Sequence, residues 1–144
     1  MIDAVTRYPG TCHCGAIGFS YQTAVRPDRW SVRACECSFC RAHDALSTSD
    51  PEGRLDFVAA QPDLLQRYRF GLGTADFLLC RNCGIYIGAA IDSDGGRFGI
   101  INTHALTHPP DDMAVPVPIT YDNENSEGRI SRRGERWTPI GELP

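Results

Sequence analysis

The chain has 144 residues, a length that suits one domain and is too short for two ordinary ones. Its formal net charge of -4 disfavours general binding to nucleic acid, which depends on a basic surface. No apolar run is long enough to cross a bilayer and the first ten residues lack a signal-peptide pattern, so we expect a cytoplasmic protein without membrane association.

The first half of the chain alternates apolar and polar residues in three places, as half-buried strands do. The alternation predicts strands over residues 17–21, 30–34 and 55–58. Pro62 begins a short segment, residues 62–66, that favours a single helical turn.

The second half continues with strands predicted over residues 67–70, 75–79, 85–91 and 97–102. Residues 92–96 read Asp-Ser-Asp-Gly-Gly, a composition typical of a hairpin turn between the last two of these strands. Residues 107–144 hold six of the ten prolines. We therefore expect residues 1–144 to form one domain of mainly β fold, in which 103–144 is an irregular C-terminal segment packed on the sheets.

All seven cysteines fall into three short clusters, which are Cys12-His13-Cys14, Cys35-x-Cys37-x-x-Cys40 and Cys80-x-x-Cys83. An odd number of cysteines cannot be fully paired as disulfides within one chain, and disulfides are rare in the cytoplasm. A C-x-x-C redox pair usually comes with a βαβ pattern, which this sequence lacks. The clusters instead have the spacing of zinc ligands, because a tight turn places two sulfurs on one side of a metal.

The first and third clusters share a glycine directly after their last cysteine, Gly15 and Gly84. A glycine there allows a sharp turn that points backbone N–H groups at the sulfurs. This similarity pairs the two clusters as one closed structural Zn²⁺ site, formed by Cys12, Cys14, Cys80 and Cys83.

The remaining cysteines, Cys35, Cys37 and Cys40, number one fewer than the four ligands that zinc prefers. We expect them to hold a second, catalytic and more labile Zn²⁺ whose fourth position is open. Three thiolates make the ion a weak activator of water, so an incoming thiol suits that position better. The alternative is a fourth protein ligand, for which the candidates are His13, His43, His104 and His108.

The sequence resembles a known family at Gly10-Thr11-Cys12-His13-Cys14-Gly15-Ala16-Ile17, at Cys35-x-Cys37-Ser38-x-Cys40-Arg41 and at Cys80-x-x-Cys83-Gly84. In order, spacing and flanking residues these motifs are similar to those of the glutathione-dependent formaldehyde-activating enzymes, a family that includes centromere protein V-like domains. The similarity runs from about residue 10 to residue 102. It implies a tent-like fold of small antiparallel sheets clasped by zinc, with the same division into a structural and a second zinc site. It also implies carbon–sulfur lyase chemistry, in which glutathione and formaldehyde form S-hydroxymethylglutathione.

We therefore expect an enzyme that forms or breaks the adduct of a small thiol, such as glutathione, with a small aldehyde. Arg41 could attract a substrate carboxylate, and Glu36 and His43 could move a proton, although each is more simply a surface residue. The alternative function is a zinc-stabilised binding module without catalysis. Its contact surface would be the basic run at Arg129, Arg132, Arg133 and Arg136, although such a run is usually only solvated.

Overall fold

The protein is described by a computed structural model that covers residues 4–144. Within this range the chain is mainly β. The strands are β1 (Thr6–Thr11), β2 (Ile17–Thr23), β3 (Arg33–Cys35), β4 (Ser47–Thr48), β5 (Arg54–Ala59), β6 (Leu65–Tyr68), β7 (Asp76–Cys80), β8 (Tyr86–Ser93), β9 (Gly96–Asn102), β10 (Val117–Ile119) and β11 (Thr138–Pro139). The α-helices are α1 (Ser38–His43) and α2 (Ser126–Arg136), and single 3₁₀ turns occupy Pro27–Arg29, Pro62–Leu64 and Thr103–Ala105. No helix in the described range is long and apolar enough to cross a membrane.

Two sheets organise these strands. The small sheet has the order β1-β2-β5 and is antiparallel throughout. The large sheet has the order β10-β3-β4-β9-β8-β7-β6, and β11 pairs with β9. Only β10 and β3 are parallel neighbours among the paired strands described. The predicted fold of small antiparallel sheets is therefore confirmed.

The main core lies where the two sheets meet. Phe19 and Phe57 of the small sheet pack in one cluster with Leu78, Ile87 and Ile101 of the large sheet. Strand β2 is the central strand of its sheet, and nearly all of its residues are buried. Both faces of this strand are covered, so residues on the face opposite to Ile17, Phe19 and Tyr21 are also mostly buried.

Most of the predicted strands form where the alternation placed them. The hairpin at residues 92–96 is confirmed, because Ser93 pairs with Gly96 and leaves Asp94-Gly95 as a two-residue turn between β8 and β9. The helical turn beginning at Pro62 also forms. The strand expected over residues 67–70 lies two residues earlier, as β6, because the chain turns at Phe70, whose carbonyl accepts a hydrogen bond from Gly73.

The strand expected over residues 30–34 is largely wrong. Trp30 and Val32 are buried, as the alternation indicated, but β3 begins only at Arg33. The backbone N–H of Trp30 bonds to the Pro27 carbonyl, which closes a 3₁₀ turn in place of a strand ladder. Burial of alternate side chains was correctly predicted here, but strand pairing was not.

The C-terminal segment corrects a second expectation, because residues 103–144 are not irregular. They contain β10, β11 and the longer helix, α2. The Asn125 side chain caps α2 by accepting a hydrogen bond from Gly128 N–H at 2.8 Å. Helix α2 has a single large apolar residue, Ile130, and its one buried residue is Arg133, so the sequence offers no apolar stripe that would have indicated the helix.

Candidate metal centres and the cavity beside them

A four-thiol site lies between the two sheets. Cys12 directly follows β1 of the small sheet, and Cys80 is the last residue of β7 in the large sheet. The structure brings these two cysteines together with Cys14 and Cys83, so that all four sulfurs lie within 4.8 Å of one another. The two clusters that the sequence analysis paired are thus adjacent in space.

The two loops that carry these thiols have the same local geometry. Cys12 N–H bonds to the Ile17 carbonyl at 2.9 Å, and Cys80 N–H bonds to the Ile85 carbonyl at 3.0 Å. The glycine in each loop has a positive φ, +85° at Gly15 and +81° at Gly84, a conformation that side chains disfavour. The predicted role of these glycines in sharp turns is confirmed.

Backbone N–H groups point at the sulfurs, as thiolates require. Ile17 N–H lies 3.4 Å from the Cys12 sulfur, and Cys83 N–H lies 3.4 Å from the Cys80 sulfur. The Asn82 side chain bonds to the Cys14 sulfur, and this bond, followed by one from the Ala16 backbone, lowers the pKa of Cys14 to about 6. A lowered pKa favours the thiolate, the form in which cysteine binds a metal.

The sulfur separations fit a four-coordinate ion. The Cys12 and Cys14 sulfurs are 3.7 Å apart, and the Cys14 and Cys80 sulfurs are 3.6 Å apart. Four sulfurs at 2.3 Å from a tetrahedral zinc would be about 3.8 Å apart along each edge. These separations are far longer than the roughly 2.05 Å of a disulfide bond. The four thiols could therefore hold one metal ion of the tetrahedral kind.

A separate three-thiol site lies at the C-terminal end of β3. Cys35 is the last residue of β3, Cys37 caps α1, and Cys40 lies buried within that helix. Their sulfurs also lie within 4.8 Å of one another. Cys40 N–H approaches the Cys37 sulfur at 3.4 Å. The short helix thus brings the three sulfurs to one place.

The three thiols lie close enough together to shift one another's pKa. Hydrogen bonds from Cys35 and then from Cys40 lower the pKa of Cys37 to about 2. The pKa of Cys40 is raised, first by its hydrogen bond with Cys35 and then by that with Cys37. A bound cation would allow all three to be thiolates, so this donor set fits a metal ion.

The other candidate residues do not join this site. Among residues 4–144, no histidine or carboxylate ligand atom clusters with the three thiols. His43 instead packs against Phe39 in a tilted arrangement, with ring centroids 4.5 Å apart, and lines a second cavity together with Asp44 and His104. His13 and His108 are exposed. Glu36 and Arg41 are also exposed and line neither of the two cavities.

A cavity of about 330 Å³ opens beside the three thiols, which form part of its lining. Its volume is at the small end of the range for small-molecule sites. Apolar side chains line another part of the cavity, and these are Phe70, Phe77, Ile100 and Trp137. The cavity therefore places sulfur ligands, apolar walls and space for a small substrate together.

Arginines form the rest of the cavity wall. Arg129, Arg132 and Arg133 reach it from α2, and Arg33 reaches it from β3. The sequence favours a solvated run for the α2 arginines, and for Arg129, Arg132 and Arg133 this expectation is wrong, because they line the cavity. Their spacing of three and four residues places them on one face of a helix, and that signal could have indicated a shared surface.

Tyr86 is a further polar group that sequence reasoning missed. It is 1% exposed, and its hydroxyl has no hydrogen-bond partner among the described residues. Burial, followed by the neighbouring Cys40 and Cys37, raises its pKa well above the ordinary value, so it stays a neutral O–H donor. Buried hydroxyls without a partner are uncommon in proteins.

Comparison with known proteins agrees with these features. A sequence profile described as glutathione-dependent formaldehyde-activating enzyme matches residues 7–119. A crystal structure of a Rhodobacter sphaeroides protein, a Northeast Structural Genomics target, is similar with 32% identity and a TM-score of 0.56. That match covers 75% of this chain and 97% of the Rhodobacter sphaeroides protein. The chain belongs to the glutathione-dependent formaldehyde-activating enzyme family.

Proposed function

We propose that the protein is a carbon–sulfur lyase that forms or breaks the adduct of glutathione, or a similar small thiol, with formaldehyde or another small aldehyde. Family membership supports this class of reaction. The observation that carries the proposal is the position of the three thiols on the wall of a small-molecule cavity. A structural site would instead be closed and remote from such a cavity.

We propose that each chain holds two zinc ions with different tasks. Cys12, Cys14, Cys80 and Cys83 would hold the structural ion, and Cys35, Cys37 and Cys40 would hold the catalytic one. A zinc ion held by Cys35, Cys37 and Cys40 would supply the acidity that lowers the pKa of a substrate thiol and leaves its sulfur nucleophilic. The donor set among the described residues has three members there, one fewer than a closed site.

The reaction itself balances without an oxidant or a reductant. The thiol sulfur forms a bond to the aldehyde carbon, the π electrons of the carbonyl move to its oxygen, and the thiol proton ends on that oxygen. The chain's contribution is to hold both reactants together in the cavity, since positioning supplies a large part of such catalysis. The apolar side chains of Phe70, Phe77 and Trp137 line the same cavity as the three sulfurs, so a reactant held there would be partly shielded from water.

The cavity draws on distant parts of the chain, from Arg33 to Trp137. We therefore propose that residues 1–144 act as one domain. All seven cysteines are free thiols in the structure. Free thiols persist in reducing compartments, so we propose that the protein acts in the cytoplasm.

The test is turnover by the zinc-loaded protein. Glutathione and formaldehyde would be mixed with the protein, and exchange between free and adduct forms would be followed by NMR. We expect faster exchange than in the uncatalysed mixture. Cys37→Ser should return the rate to the uncatalysed level, whereas Ala42→Ser, an exposed change on the same helix, should not. A wild-type rate equal to that of the uncatalysed mixture would contradict the proposed reaction.

A further inference from the structure

Arg133 is a buried cation without an acidic partner. Its residue is 8% exposed, and among residues 4–144 it forms no salt bridge. Its guanidinium donates to the Thr74 hydroxyl at 2.7 Å and lies 4.8 Å from the centre of the Trp137 ring. Its Nε is buried and has no acceptor among the described residues. Burying a charge in this way is costly unless an opposite charge is nearby.

The other cavity arginines are also short of counter-charges. Arg129 and Arg132 share one carboxylate, Glu124, with contacts of 3.4 and 2.7 Å. Arg33 bonds to hydroxyls, with a distance of 2.8 Å to Ser49, and forms no salt bridge in the described range. The lining thus has more guanidinium groups than carboxylates, although the whole chain carries a net charge of -4. Such a local excess of positive charge attracts anions.

Arg132 is held in a fixed orientation. Its guanidinium lies 3.5 Å from the centre of the Tyr121 ring and forms two hydrogen bonds with Glu124. A cation stacked on an aromatic ring and paired with a carboxylate loses little further freedom when a ligand binds. Arg132 is therefore preorganised for a ligand, as one member of the arginine wall that Arg33, Arg129, Arg132 and Arg133 form along the cavity.

The α2 arginines lie outside the part of the chain that matches the family profile, which ends at residue 119. Helix α2 begins at Ser126, and Tyr121 and Glu124 also follow the match. The three-thiol site, by contrast, lies within the matched residues. The cavity thus combines a shared sulfur site with a wall that this chain's own C-terminal segment provides.

We propose that Arg133, together with Arg129 and Arg132, forms a carboxylate-binding subsite that selects thiols bearing carboxylate groups. This inference rests on the proposed function for the identity of the thiol. Glutathione has two carboxylates, and one of them bound here would give Arg133 its missing acceptor while the thiol faces Cys35, Cys37 and Cys40. A neutral thiol of similar size gains no such contact, so the subsite discriminates against it.

The test uses probes that cannot bind through sulfur. S-Methylglutathione has a blocked thiol and both carboxylates. Its diethyl ester has the same blocked thiol and amino group but carries no carboxylate charge. Calorimetric titration of the full chain, purified with its metals, should give a dissociation constant for the acid that is at least about tenfold lower than that for the ester. Arg133→Met should remove this preference, and Arg136→Met should retain it, since Arg136 is exposed on the same helix and does not line the cavity.

Arg133 is buried, so the Met variant's melting curve must show that it still folds. If it does not, Arg132→Met provides the test, and we expect it to weaken the preference as well. Equal affinity for acid and ester in the wild type, or no measurable affinity for either, would overturn the subsite. A preference that survives in folded Arg133→Met would overturn it too. A clear preference in a protein that does not turn over glutathione and formaldehyde would support the subsite while rejecting the proposed reaction.

Discussion

Replacing Cys80 by serine should unfold the protein. Cys80 is 2% exposed and Cys12 is 0% exposed, and both belong to the main core cluster between the two sheets. The Cys80 sulfur also accepts backbone N–H groups from Asn82 and Cys83, each at 3.4 Å. A serine oxygen is a poorer ligand for zinc and does not reach as far, so Cys80→Ser would lose the structural zinc ion proposed for this site.

The size of the expected effect follows from the coupling of metal binding to folding. Structural zinc sites contribute roughly 10–16 kcal/mol of apparent binding free energy, which is also folding free energy. Whole domains are stable by only about 5–15 kcal/mol, so loss of this site leaves little or no net stability. We expect Cys80→Ser to be insoluble, or to show no cooperative thermal transition by circular dichroism.

Cys35→Ser is the matched control, because it changes one cysteine of the three-thiol site and leaves the four-thiol site intact. We expect this variant to retain a cooperative transition and to hold about one zinc per chain by elemental analysis, one fewer than the wild type. The reasoning would be refuted if Cys80→Ser melted at the wild-type temperature with the wild-type zinc content. Equal unfolding of both variants would also argue against separate tasks for the two sites.

Two further predictions concern metal loss and backbone conformation. Mild chelation should remove one equivalent of zinc while the far-UV circular dichroism stays folded, because three protein ligands hold less tightly than four; loss of both ions in one step would contradict this. Gly84→Ala should lower the free energy of unfolding by about 1–2 kcal/mol in chemical denaturation, since φ is +81°. Gly134→Ala in α2 should instead raise it by about 0.5–1 kcal/mol, since the added methyl would meet only Phe98, at 4.0 Å. A higher denaturation midpoint for Gly84→Ala than for Gly134→Ala would show that backbone strain does not determine the stability effect at these two glycines.

The cysteine sites were accessible to sequence reasoning because their signal is local. Each pair of thiols is set by a spacing of a few residues, and the glycines that follow mark the turns. The pairing of Cys12 and Cys14 with Cys80 and Cys83 required only the similarity of two short loops. Strands β2, β5 and β9 were likewise indicated by alternation, because each has at least one face in the core.

The arginine wall could not be predicted in the same way. Helix α2 is held by contacts such as the hydrogen bond from Arg133 to Thr74 and the packing of Arg132 on the Tyr121 ring, and not by an apolar stripe. In sequence, a run of arginines with a single isoleucine indicates a solvated surface. Only the fold shows that this run borders a cavity whose other wall comes from residues about ninety positions earlier.

The proposed function requires that the three-thiol site bind a substrate thiol at an open metal position. The most direct measurement is thiol titration of cobalt-substituted protein, in which sulfur-to-cobalt charge-transfer bands report each added sulfur ligand. We predict that glutathione intensifies these bands in the wild type and that Cys37→Ser abolishes the response while the four-thiol site keeps its spectrum. A wild-type spectrum that no thiol alters would contradict the claim.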